Sequence, residues 1–127
     1  MKTCLCFLLW MTVASMARAG SLYEVRCTNA KCGLVAEVGI GGGMKFEEAS
    51  GYCPKCEKFV SVTWPRGEKP KMAPVRFWDG LVGRLREVFR CKTCQTPFVR
   101  LGAIEDLKFC PKCGQESLRA KLTMMFD

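Results

Sequence analysis

Histidine is absent from the 127 residues, which removes the commonest general base and the commonest nitrogen ligand for a metal. Long apolar runs are missing too. The best of them, Cys4 to Ala14 behind Lys2, falls short of the roughly 20 residues that a membrane span needs. The glycine-rich stretch Gly39-Ile40-Gly41-Gly42-Gly43 has no Gly-Lys-Ser/Thr behind it and opens no helix, so it reads as a hairpin tip rather than a phosphate loop. Acidic residues are the minority, 12 against 20 Lys and Arg, for a formal charge of +8. A basic balance of that size points first to an anionic partner.

What the chain has in quantity is cysteine, ten in all. Eight fall into four knuckles: Cys27/Cys32, Cys53/Cys56, Cys91/Cys94 and Cys110/Cys113. Two thiolates a few residues apart wrap one side of a tetrahedral ion, and a second pair closes the other side. Four pairs fill two all-sulfur shells with no ligand left over and no open position, the mark of structural rather than catalytic metal sites. Consecutive pairing of knuckles closes the shorter loops and is expected on chain entropy, with a crossed pairing of first and third as the alternative. Counted as thiolates around two divalent ions, these cysteines bring the formal charge from +8 to +4, ordinary for a small domain.

Residues 1–19 differ from the rest. Ala17-Arg18-Ala19 behind the apolar run resembles a signal-peptide cleavage point, and Met16 is an equally good start for a chain extended in error. Either reading discards Cys4 and Cys6. Export would favour disulfides and a reducing compartment would favour metal; the thiol content tips the expectation to the cytoplasm.

The two halves echo each other. Tyr23-Glu24-Val25-Arg26 leads into Cys27, Arg86-Glu87-Val88-Phe89-Arg90 leads into Cys91, and each half reaches the tetrapeptide Cys-Pro-Lys-Cys, at Cys53–Cys56 and at Cys110–Cys113. Apolar residues alternate at Leu34, Ala36, Val38 and Ile40, and again at Val60, Val62 and Trp64, the period of half-buried strands. Met44-Lys45-Phe46 begins a return strand and Phe98 to Leu101 forms a short one. Leu118, Ala120, Leu122, Met124 and Phe126 put one apolar stripe on a last strand. Before Cys91, Leu81, Leu85, Val88 and Phe89 have helical spacing, weakened by Gly80 and Gly83, so a short helix competes with a strand there. The expected fold is small, metal-stabilised and mainly β, with a first unit at 22–64, a basic linker at 65–80 and a second unit at 81–127. Units this small seldom fold without metal or disulfides.

Each half resembles a zinc ribbon of the broad rubredoxin-like type, in which two cysteine knuckles at hairpin tips clamp one ion. The resemblance rests on the knuckles and on Cys110-Pro111-Lys112-Cys113-Gly114. It implies Cys27, Cys32, Cys53 and Cys56 as one ligand set and Cys91, Cys94, Cys110 and Cys113 as the other. Two features depart from the pattern: the first knuckle has a four-residue gap, and Glu57 stands where a glycine often follows. The implied cofactors are two Zn²⁺. Iron, as in a rubredoxin-like electron carrier, is the alternative metal, and an exported disulfide protein or a Cys53/Cys56 dithiol reagent are further alternatives.

The stretch around the linker carries the only surface signal. Seven cations, among them Arg76, Arg84, Arg86 and Arg90, stand against Glu68, Asp79 and Glu87, with Phe77 and Trp78 between them. Arginine neutralises phosphate and aromatic rings stack on unpaired bases; packing of the rings against a ribbon is the plainer account. Taken together, the residues describe a non-enzymatic double ribbon that binds another macromolecule, protein or nucleic acid, through Arg76, Trp78, Arg84, Arg86 and Arg90.

Overall fold

A computed structural model of the chain describes residues 20–126. The signal-like segment 1–19, with Cys4 and Cys6, lies outside them. Eight strands run in order: β1 (Gly20–Cys27), β2 (Val35–Ile40), β3 (Phe46–Cys53), β4 (Lys58–Pro65), β5 (Val75–Asp79), β6 (Arg84–Arg90), β7 (Pro97–Val99) and β8 (Leu118–Phe126). Helix is confined, among the described residues, to one 3-10 turn at Ile104–Asp106, and no helix there is long and apolar enough to cross a membrane.

The strands form three antiparallel sheets, β2-β1-β8, β3-β4 and β5-β6-β7. In the first, the beginning and the end of the described chain are neighbours: Gly20 to Cys27 pair with Phe126 to Leu118. The repeat seen in the sequence is visible here. β1 and β6 each form the middle strand of a three-stranded sheet and each run into a knuckle. Val25 and Phe89, two residues before Cys27 and Cys91, are both buried.

Apolar side chains gather into two cores. Val25, Leu34, Val38, Leu101 and Leu118 surround Cys27 and Cys110, whereas Ala49, Trp64, Phe89 and Phe98 surround Cys53 and Cys91. In the second, Trp64 stacks on Phe89 at 5.6 Å between ring centroids, and Phe89 on Phe98 at 6.2 Å. The grouping cuts across the units expected at 22–64 and 81–127. An inner set, β3 to β7, is contiguous in sequence, and an outer set, β1, β2 and β8, closes around it from both ends. The two are joined where the Leu101 amide donates to the Ser50 carbonyl at 2.8 Å. Gly51 lies so close to Val99 and Phe98 that a Cβ has no room.

Three local expectations change. Arg84 to Arg90 is strand rather than helix: Asp79 accepts the Leu81 amide, Gly83 turns the chain at φ +68°, and β6 then finds partners on both sides. Part of the expected linker, Val75 to Asp79, is the strand β5 that pairs with it. The apolar stripe of β8 is broken because Leu122 faces Tyr23 and Met124 faces Leu22, leaving Thr123 as an extra residue. That bulge moves Met124 and Phe126 to the face of Arg119 and Lys121.

Candidate metal centres

Each knuckle is a tight turn between a strand end and the chain that follows it. Cys91 donates its amide to Thr96 and Cys110 to Gln115, while Gln95 and Gly114 donate back to the carbonyls of Cys91 and Cys110. Just after the second cysteine of every knuckle the backbone is left-handed, at Gly33 (φ +63°), Glu57 (φ +53°), Gln95 (φ +63°) and Gly114 (φ +75°). Glycine accepts that conformation freely and other residues do so at a cost. Glu57 and Gln95 therefore adopt the same turn without the glycine that announces it. The long gap of the first knuckle has a simple origin. Its turn starts at Asn29, whose carbonyl accepts the amides of Cys32 and Gly33, and whose side-chain oxygen accepts the Lys31 amide. Cys27 supplies its sulfur from two residues upstream.

The knuckles meet in two clusters, Cys27/Cys32/Cys110/Cys113 and Cys53/Cys56/Cys91/Cys94, with the four sulfurs of each within 4.8 Å of one another. Cys27 and Cys113 are 3.8 Å apart and Cys32 and Cys110 3.6 Å in the first. In the second, Cys53 and Cys94 are 3.4 Å apart, Cys56 and Cys94 3.5 Å, and Cys56 and Cys91 3.9 Å. Four sulfurs placed about 2.3 Å from a central ion at tetrahedral corners stand about 3.8 Å apart, whereas a disulfide needs about 2.05 Å. Both sets therefore have the size and the donors of a four-thiolate metal shell.

The partners in each set are not those expected. Consecutive sets of Cys27/Cys32/Cys53/Cys56 and Cys91/Cys94/Cys110/Cys113 give way to a nested arrangement, first knuckle with fourth and second with third. The crossed pairing of first with third is not found either. Loop closure is too weak to decide the matter. Once the inner set is tied, the outer loop is roughly 42 residues against 26 for consecutive pairing, and a doubling costs only about 0.6 kcal/mol. The β1–β8 pairing that nesting allows buries Val25 and Leu118, and full burial of such a side chain is worth about 1.5–3 kcal/mol.

Hydrogen bonds divide the thiols of each set. The Thr96 hydroxyl and amide hold Cys94 down at about 6; the Gln115 amide and then the Ser117 hydroxyl hold Cys113 at about 6. Burial pushes Cys32 up to about 11, and the hydrogen bond shared with Cys94, followed by burial, pushes Cys56 up to about 12. The surroundings thus favour the thiolate at Cys94 and Cys113 and the protonated thiol at Cys32 and Cys56, whose proton an ion would displace. The Ser117 hydroxyl also lies 3.0 Å from Cys27. Thr28 donates its amide to the Ser117 carbonyl at 2.8 Å and Asn29 its side chain to Gln115 at 3.2 Å, so the outer knuckles are bonded to each other beside the sulfurs. Ser117, Thr96 and Asn29 escaped the sequence reading because hydroxyls and amides near a knuckle carry no spacing signal of their own.

The surface residues singled out in the sequence are largely engaged with acids. Arg84 bonds Asp106, Arg86 bonds Asp79 at 3.3 Å, and Arg76 lies 3.8 Å from Glu87. Arg90 donates to the Gln95 carbonyl at 3.1 Å. Burial works against ionisation of Asp106, yet the Arg84 guanidinium and the amides of Gly102 and Ala103 hold its carboxyl below the usual range. Trp78 stays exposed at the tip of the β5–β6 hairpin, opposite Leu85.

No family model, no curated protein and no solved structure matches this chain. The class follows from the geometry alone: a small, mainly β protein of short antiparallel sheets carrying two four-cysteine clusters suited to metal.

Proposed function

We propose that the protein is a non-enzymatic module of two zinc ribbons, one nested within the other, that binds another macromolecule. The single observation behind this reading is that eight sulfurs form two separate groups of tetrahedral size with no nitrogen or oxygen donor among them. Zinc in an all-sulfur shell has no exchangeable position at which to activate water, and it contributes folding energy outright. Cys27, Cys32, Cys110 and Cys113 would hold the outer ion, and Cys53, Cys56, Cys91 and Cys94 the inner one. Such clusters belong in a reducing compartment, and the cytoplasm is the assignment that goes with them.

The test is metal content on protein purified without chelator, together with free-thiol titration. Two zinc ions per chain, protected thiols and no visible colour are the expected result. A red protein that bleaches on reduction would replace the zinc reading with an iron electron carrier. Oxidised cysteines without metal would overturn it.

A further inference from the structure

Among the described residues the β3–β4 sheet has two strands, so one edge of β4 has no strand of theirs beside it. Which groups that edge offers is fixed by the other side of the sheet. The Ser50 carbonyl accepts from Leu101 and the Glu48 carbonyl from Arg100, so both point away from β4. Their partners across the ladder, Ser61 and Thr63, are therefore the non-bonded positions of the antiparallel pair and turn their own N–H and C=O outward. Pro65 has the same parity. A proline is tolerated in a sheet where the missing N–H would have faced away from its neighbour, and its place at 65 agrees with the assignment.

A groove of about 810 Å³ lies against this edge, within the range of about 300–1,000 Å³ usual for binding sites. Four consecutive residues of β4, Val62 to Pro65, line it. Side chains alternate between faces, so a groove touched by successive residues runs along the backbone edge rather than over one face. Its walls are aliphatic, with Val62, Met72, Val75 and Val88. Its rim is basic: Lys69, Lys71, Arg90 and Lys92 stand against Glu68 alone. None of these four cations is in a salt bridge among the described residues.

We infer that this groove receives an extended peptide of alternating aliphatic and acidic residues, added as a further strand along the outer edge of β4. The inference rests on the reading of the protein as a binding module and names the partner's chemistry. Thr63 gives and takes the main-chain hydrogen bonds. One face of the added strand meets the aliphatic walls and the other sends carboxylates to the rim lysines, the usual division of labour in strand addition. A nucleic acid fits the same charge less well. Trp64 is buried beneath Arg100 and against Phe89, which leaves no open ring on the groove floor for a base to stack on.

The probe is a fluorescein-labelled peptide of alternating valine and aspartate, about six residues long at about 3.4 Å per residue, enough to run past the four β4 residues that line the groove. It is titrated by anisotropy into the full chain at low and at physiological salt, with metal content measured on the same samples. Saturable binding that weakens with salt is expected. Thr63→Pro removes an outward N–H and no ladder bond, and should weaken binding about tenfold or more while keeping both ions. Lys69→Glu combined with Lys71→Glu, in an exposed loop outside both clusters, should weaken it similarly and flatten the salt dependence. Absence of saturable binding by protein with two ions overturns the groove and leaves the metal module standing. So does unchanged affinity in both variants, or displacement of the peptide by oligothymidylate. Peptide binding by protein without ions sustains the groove and removes the metal reading instead.

Discussion

Double substitutions separate the nested ligand sets from consecutive ones. Cys27→Ser with Cys113→Ser removes two sulfurs from the outer cluster and none from the inner. Cys27→Ser with Cys53→Ser removes one from each. A structural ion contributes on the order of 10–16 kcal/mol in apparent binding energy, as much as the whole net stability of a typical domain at about 5–15 kcal/mol. Damage to one cluster is therefore enough to release its ion, and a second loss in the same cluster adds little. The first variant should keep one ion per chain and the second should keep neither at full affinity. Metal analysis after mild chelator challenge reads the stoichiometry. Amide exchange reads the place: in the first variant β1, β2 and β8 should lose protection, while β3 to β7, packed around Trp64 and Phe89, retain it. If Cys27→Ser with Cys53→Ser kept one intact ion while Cys27→Ser with Cys113→Ser lost both, the nested assignment would be wrong.

Gln95→Gly should stabilise the protein by about 0.5–1 kcal/mol. Relief of a left-handed backbone at φ +63° is worth about 1–2 kcal/mol, and the freedom glycine adds to the unfolded chain takes back about 0.5–1 kcal/mol. A lower melting temperature would refute the turn assigned to the third knuckle. Gly51→Ala pushes a methyl into the Val99 carbonyl and the Phe98 ring, and should destabilise by about 1–3 kcal/mol, read as a shift in denaturant midpoint. Trp64→Ala, which empties the space between Phe89 and Arg100, should cost about 3–5 kcal/mol and release the inner ion at lower chelator concentration than the outer. Equal release from both sites would show that the two cores do not melt separately.

The eight cysteines that gather into the two clusters were legible in the sequence because knuckle spacing is set by a local turn, and the strands because a half-buried strand repeats every two residues. The choice of partners was not. The two halves are alike, so β1 and β6 look interchangeable, and the pairing that decides the ligand sets joins residues at opposite ends of the described chain. Loop length separates the alternatives by only about 1 kcal/mol across both sites, less than the burial of one valine. Period-two counting also passes straight through Thr123, since a bulge alters register without altering composition. At Glu57 and Gln95 the left-handed turn is imposed by the knuckle on residues that do not advertise it.

The charge pattern shows most plainly what tertiary structure adds. In sequence, the cations from Arg66 to Arg90 look like one basic segment suited to phosphate. In the fold, the acids that compensate them come from outside that segment as well as within it: Asp106 from the 3-10 turn meets Arg84, Asp79 meets Arg86, and Glu87 is shared between Arg76 and the incoming Arg100. Three of the four arginines on the hairpin that carries Trp78 thus have an acidic partner where the sequence placed its charge. The cations outside these pairs stand instead on the loop before β5 and in the third knuckle, at Lys69, Lys71 and Lys92, where they share a groove with aliphatic side chains and the outer edge of β4. An ion pair open to water is worth about 0–1 kcal/mol, so Arg76 and Arg84, both partly exposed, gain little stability from their partners, while Arg86 and Asp79 form the more buried pair. The pairing of these arginines matters more for what it removes, an exposed positive face on β5 and β6. Any salt dependence of binding should therefore track the lysines rather than Arg84 and Arg86, and neutralising those two arginines should leave the salt slope of peptide binding unchanged.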